Sequence, residues 1–200
     1  MAVRAFAVSV VLMLASCSFT FTTSNSSTST QIVTPSLPLQ TPASGFTTYS
    51  NADPAFVISH PSGWREHRLV ASDPGVSTAI VAFSTRLDGP SDYFTENVVV
   101  SRNVVPDGMT LDEYTAFSIA NKPKTVTNFQ LVLKQPAILS GLPAEALEYT
   151  GTASNRSLHW FTEWAVSGTS AYVISYMAEP DSYDRYLQDA KATIESFHLT

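Results

Sequence analysis

His60 and His67 flank the turn cluster Pro61-Ser62-Gly63. Two imidazoles approaching each other across a turn could hold a zinc or copper ion. Their plainer role is that of polar turn and edge residues. Trp64, Tyr172 and Tyr176 belong to the residue types that line small-ligand grooves, but at strand alternation the same residues fill cores. Two acidic groups, Asp88, Asp92 and Glu96, then Glu179, Asp181 and Asp184, offer oxygens to calcium. Neither has EF-hand spacing, and acids at a helix start are accounted for by the positive end of the helix dipole. His159 and Glu163 share a strand face at a separation of about 13 Å, too far to ligate one metal unaided. They read as surface residues. No Gly-x-Ser-x-Gly elbow, phosphate-binding glycine loop, Cys-x-x-Cys or His-Glu-x-x-His occurs, so the sequence assigns no catalytic residue and no cofactor.

Cys17 is the single cysteine, and it directly follows an apolar run. Residues 1–16 carry one charge, Arg4, then the apolar stretch Ala5 to Leu14 and two small residues, the layout of a secretory signal. That stretch is too short to span a bilayer. Leu14-Ala15-Ser16-Cys17 resembles the lipobox, at which lipoprotein signal peptidases cut before a lipid-modified cysteine. The alternative is an ordinary signal peptide with a chance cysteine. The resemblance implies that Cys17 is the mature N-terminus and binds membrane lipid through its acyl chains, leaving the chain anchored on the extracytoplasmic face of the cell membrane of a bacterium or an archaeon. Two or three acyl chains meet the requirement for stable anchoring. With no second cysteine there is no intramolecular disulfide, so packing alone must hold the domain together.

Residues 17–45 read as the lipidated cysteine and a Ser/Thr/Pro-rich tether, charge-free like the whole stretch between Arg4 and Asp53. On random-coil scaling this tether reaches about 30 Å. Asn25 here and Asn155 further on match the N-glycosylation acceptor pattern. The formal net charge of the chain is −6. That balance argues against nucleic acid as a partner and against direct contact with anionic headgroups.

From residue 46 to residue 200 the pattern is that of one α+β domain. Strand signals cover 46–49, 55–59, 64–70, 77–85 and 97–105, with turns at Asp73-Pro74-Gly75 and Pro106-Asp107-Gly108. Thr110-Leu111-Asp112-Glu113 is a capping box opening a helix to about Asn121, with Leu111, Tyr114 and Phe117 toward the sheet. Strands over 129–139, 144–150, 157–166 and 171–178 form a meander, with Gly141-Leu142-Pro143, Gly151 and Gly168 at the turns. Alternation puts Trp160 and Trp164 on one buried face. Asp181 or Ser182 caps a closing helix whose Tyr183, Tyr186, Leu187, Ala190, Ile194 and Phe197 recur at helical spacing.

The succession Phe56-Val57-Ile58-Ser59-His60-Pro61-Ser62-Gly63-Trp64, Asn97 to Val100, Thr110 to Tyr114, Gly141 to Ala144 and Ala171 to Tyr176, then a helix ending Ser196-Phe197, resembles PsbP-like domains. That resemblance implies an α/β/α sandwich, a central and mostly antiparallel sheet flanked by helices, and accessory or binding roles without a catalytic motif. The expected function is a non-enzymatic, membrane-tethered lipoprotein acting as a binding module for an envelope protein or complex. The alternative is a lipoprotein that binds a small molecule or metal and delivers it to a transporter. An envelope hydrolase has the least support, because no nucleophile adjoins an identifiable base.

Overall fold

A computed structural model describes residues 44–69, 77–90 and 92–200. The signal segment, Cys17, the tether with Asn25, and the expected turn at Asp73-Pro74-Gly75 lie outside the described residues. The elements in chain order are β1 (Phe46–Ala52), β2 (Ala55–Pro61), β3 (Arg65–Arg68), β4 (Ser77–Ser84), β5 (Asn97–Val104) and α1 (Leu111–Asn121). They continue with β6 (Thr127–Leu139), β7 (Leu142–Ala153), β8 (Arg156–Ser167), β9 (Ser170–Ala178), α2 (Pro180–Glu195) and β10 (His198–Leu199).

Seven strands form one antiparallel sheet in the order β3-β4-β5-β9-β8-β7-β6, and β1-β2-β10 form a second, small sheet. The expected meander is present as β6 to β9, each strand paired with the next. Its hairpins are two-residue turns: Ser140-Gly141 and Ser154-Asn155 all have positive φ. That conformation matches the twist of the flanking strands. Gly151, expected at a turn, lies inside β7 instead. Its hydrogen side chain admits Val126, whose Cγ1 would stand 2.3 Å from an added Cβ.

Each face of the large sheet has its own core. On one face Val81, Phe83, Val98, Val100, Phe161, Ile174 and Tyr176 pack with Tyr183, Ala190 and Ile194 of α2, Phe197, and Phe56 and Ile58 of β2. On the other, Leu147, Tyr149, Leu158, Trp160, Trp164 and Met177 pack with Tyr114 of α1, Phe94 and Val105. Both tryptophans are thus buried on one face as expected, but their strand is buried on the opposite face too, through Phe161 and Ala165.

The expectation of a helix-flanked sandwich is corrected in proportion. The sheet is mostly antiparallel, yet the fold is sheet-dominated: α2 shares its face with β1, β2 and β10, and α1 is a short helix over β7 and β8. Two local expectations also change. The N-cap of α2 is Glu179, which makes no side-chain capping bond; Pro180 at the first helical position opens the helix with its fixed φ and its missing N–H. The chain does not end with α2, since His198 and Leu199 add a two-residue strand to β2.

The capping box forms as read. Glu113 N donates to Thr110 Oγ1 at 3.2 Å, and Thr110 N donates to Glu113 Oε2 at 2.9 Å. Thr110→Ala, which unpairs one amide of the first turn, is expected to cost about 1 kcal/mol in urea unfolding, whereas Thr110→Ser should cost less than half of that.

Candidate interaction surface

β6 is the last strand of the large sheet, paired on one side with β7 and, among the described residues, with no strand on the other. Its thirteen residues, TNFQLVLKQPAIL, are apolar enough to be taken for a buried strand. The side chains nevertheless stay in water: Leu131 is 42 % exposed, Val132 57 %, Leu133 38 % and Ile138 67 %. Toward its end the strand is anchored by Leu139, which is buried in the α2-side core with Ala137 packed against that core. Alternation therefore turns Ile138 to the other face, where it is exposed.

Register breaks between Thr127 and Gln130 and between Leu131 and Leu133 twist the first half of the strand. Pro136 is tolerated here because an edge strand has a side on which an amide hydrogen is not required. The one charged side chain of β6, Lys134, is paired with buried Glu145 at 3.4 Å, which leaves the strip without net charge. The opposite edge is built differently. β3 has four residues, exposes Arg65, Glu66 and Arg68, and carries the pair Arg68–Glu66 at 3.1 Å. A short charged strand is a protected edge; β6 is long and exposes four aliphatic side chains, with Lys134, Pro136 and the register breaks as its only protecting features.

His60 is buried, stacks on Phe83 at 4.3 Å, and has Nδ1 3.0 Å from the Pro61 carbonyl oxygen. Burial holds its imidazole below the ordinary histidine range. His67 lies on β3 with Nε2 2.9 Å from Ser84 Oγ. Each imidazole is thus engaged with partners of its own, and among the described residues no group of three or more His, Cys, Asp or Glu could hold a metal ion.

Trp64, Tyr172 and Tyr176 are brought together in the α2-side core. Trp64 meets the ring of Tyr186 at 6.3 Å, Tyr172 meets Phe197 at 6.0 Å, and Tyr176 donates its hydroxyl to the Tyr183 carbonyl at 2.9 Å. What the structure shows of these aromatics is packing.

Of the acidic residues, Asp88, Asp92, Glu96 and Glu179 are engaged within the fold. Asp92 accepts from the amides of Asp88 and Phe94, Asp88 pairs with Arg185 and accepts from the Tyr186 hydroxyl, and Glu179 pairs with Arg156 at 2.8 Å. Glu96 is buried, accepts from the Thr85 hydroxyl at 3.0 Å, and burial raises its carboxyl above the ordinary range.

Two features escaped sequence reasoning. Ser84 and His67 have the separation of a nucleophile and its base, since strand pairing brings together positions seventeen residues apart. Ser84 is only 2 % exposed, however, and among the described residues no carboxylate is hydrogen-bonded to the imidazole. The second is a titratable layer under α2. His159 and Glu163, expected at the surface, face that helix instead: His159 stacks on Tyr183 at 3.5 Å and lies 2.8 Å from Glu148 Oε1, and Glu163 is half-buried. Alternation showed their shared face, but nothing local told that α2 would lie across it.

Solved structures of the same fold are found at low identity. Cyanobacterial PsbP (CyanoP) from Synechocystis aligns at a TM-score of 0.57 with 16% identity, over 82% of this chain and 99% of that one. LpqN from Mycobacterium tuberculosis, described as involved in cell envelope biogenesis, aligns at 0.54 with 16% identity, over 78% and 90%. Protein PA94 from Pseudomonas aeruginosa, a protein of unknown function, aligns at 0.53 with 16% identity, over 75% and 94%. These likenesses establish a PsbP-like fold, as the sequence resemblance implied. No curated protein matches the sequence. A family model does: it spans residues 87–196, from the loop before β5 to the end of α2, more than half of the chain, and on that match the protein belongs to the DcrB family.

Proposed function

We propose that this protein is a non-enzymatic accessory module, held by lipid at Cys17 on the extracytoplasmic face of the cell membrane, that takes an extended segment of an envelope protein onto the free edge of β6. The observation that carries this reading is the β6 edge, a thirteen-residue strand with four exposed aliphatic side chains and no net charge. An edge of this kind offers unpaired backbone groups to an added strand, and its neutral surface favours an uncharged, aliphatic segment over a charged one. The lipobox-like Cys17 and the charge-free tether support attachment, and the envelope role printed for LpqN supports the setting. Among the described residues no helix is long and apolar enough to cross a membrane. The missing catalytic motifs and the closed Ser84–His67 pair support a role without chemistry, and the acidic balance supports protein rather than nucleic acid as the partner.

Affinity purification of the full chain from detergent-solubilised membranes tests the reading. A protein recovered one-to-one with the wild type should be lost from the Val132→Lys/Ile138→Lys variant. The urea midpoint should hardly move, since exposed substitutions of this kind change stability by about 0.5 kcal/mol or less. Equal recovery with both proteins, or no stoichiometric partner with either, would reject the docking edge. Mass spectrometry of the native N-terminus checks the anchor, and an unacylated first residue would reject it.

A further inference from the structure

The layer between α2 and β8 contains a carboxyl that no described hydrogen bond or ion pair accounts for. Glu163 lies on the sheet face that packs α2, with Ala146 of β7 and Ile174 of β9 as its cross-strand neighbours, both fully buried apolar residues. A half-buried carboxylate among such neighbours keeps only part of the solvation that its charge requires. The charged groups facing it come from α2. They are Glu195, of like charge, and Lys191, whose ammonium is drawn over the Phe161 ring at 4.7 Å. On the same face β8 also carries His159 and β7 carries Glu148, paired with each other beneath Tyr183. β9 contributes Tyr172 and Tyr176, engaged with Phe197 and with the Tyr183 carbonyl. None of these tyrosines supplies a counter-charge.

We infer that α2 is seated on the sheet through a proton held by Glu163, and that loss of this proton loosens the helix. When the proton is present, Glu163 adds no charge to the contact between the helix and the sheet. When it leaves, a negative charge stands against Glu195 with only Lys191 to oppose it. Burial first, and the Glu195 charge second, push the Glu163 carboxyl from 4.5 up to about 7. Because the folded value is raised, the stabilisation is complete below about 4.5 and is lost as pH climbs through 7. The helix stays attached at either pH, since Tyr183, Ala190, Ile194 and the Ser196–Ser59 hydrogen bonds do not titrate in this range. The proton therefore sets how tightly α2 sits and how readily the face behind it opens, whether or not β6 takes a partner.

Hydrogen exchange of the full chain in detergent between pH 5.5 and 8.5, corrected for intrinsic rates, reads the effect directly. The expected result is a fall in α2 amide protection of about tenfold in the wild type, less than full linkage because the carboxyl keeps some contact with water. Glu163→Gln should hold that protection nearly constant while leaving the amides of β7 unchanged. Independently of any variant, carbon-13 titration of the Glu163 carboxyl should give a midpoint near 7. Protection in the wild type that does not change with pH, an equal fall in Glu163→Gln, or a carboxyl midpoint in the ordinary glutamate range would overturn the inference.

Discussion

Trp164→Ala is expected to lower stability by about 3–5 kcal/mol, the range for deleting a large buried aromatic side chain. Trp164 is 1 % exposed and lies where β8 meets α1. Its indole Nε1 donates to Thr115 Oγ1 at 2.8 Å, and its ring meets Tyr114 edge-to-face at 5.8 Å, so one side chain joins the short helix to the sheet by both packing and polarity. Truncation opens a cavity and also strands the buried Thr115 hydroxyl, a separate cost of about 1–3 kcal/mol if no water replaces the indole. Trp164→Phe separates the two contributions, because it keeps most of the packing and loses the hydrogen bond. Urea unfolding should place it between wild type and alanine, and hydrogen exchange should show α1 opening before β8 in both variants. Indistinguishable stabilities for Trp164→Ala and the wild type would remove Trp164 as the anchor of α1.

Gly151→Ala should be the most damaging single-methyl addition among the described glycines. An added Cβ would lie 2.3 Å from Val126 Cγ1, 3.0 Å from the Thr127 carbonyl oxygen and 3.4 Å from the Phe129 Cα. Val126 could rotate away, but the backbone of Thr127 is held by the Thr127 hydroxyl bonded to the Thr152 carbonyl, so the start of β6 must move as a unit. Overpacking of this kind costs about 1–3 kcal/mol, and here it also displaces the interaction edge. Gly63→Ala is the matching control, with nothing within 4 Å of its added Cβ and no positive φ. It should be neutral, or stabilising by up to about 1 kcal/mol through the unfolded chain. A Gly151→Ala protein with wild-type stability and unchanged binding would show that the close approach at Val126 relaxes freely.

Both predictions concern positions whose residue type was plain and whose surroundings were not. Gly151 was legible as a glycine of special purpose, and a turn was the natural local explanation. The turn belongs to Ser154-Asn155, and the glycine answers to a segment twenty-five residues earlier in the chain. Trp160 and Trp164 could be placed on one face because a strand alternates with period two. Alternation says which side chains share a face. It does not say what covers that face, and so His159 and Glu163 were taken for surface residues when α2 lies across them.

The division follows the range of the forces concerned. The capping box at Thr110, the strand periods and the meander are written in residues a few positions apart, where backbone geometry and neighbouring hydrogen bonds decide the outcome. Sheet order is decided by contacts between distant segments, and it alone made β6 an edge. Pro136 hints at an edge, but the aliphatic residues around it do not tell which strand lies beside them; what exposes β6 is that the chain leaves β5 through α1 and the meander then runs back from β6 to β9, which pairs with β5 and leaves β6 last in line beside β7.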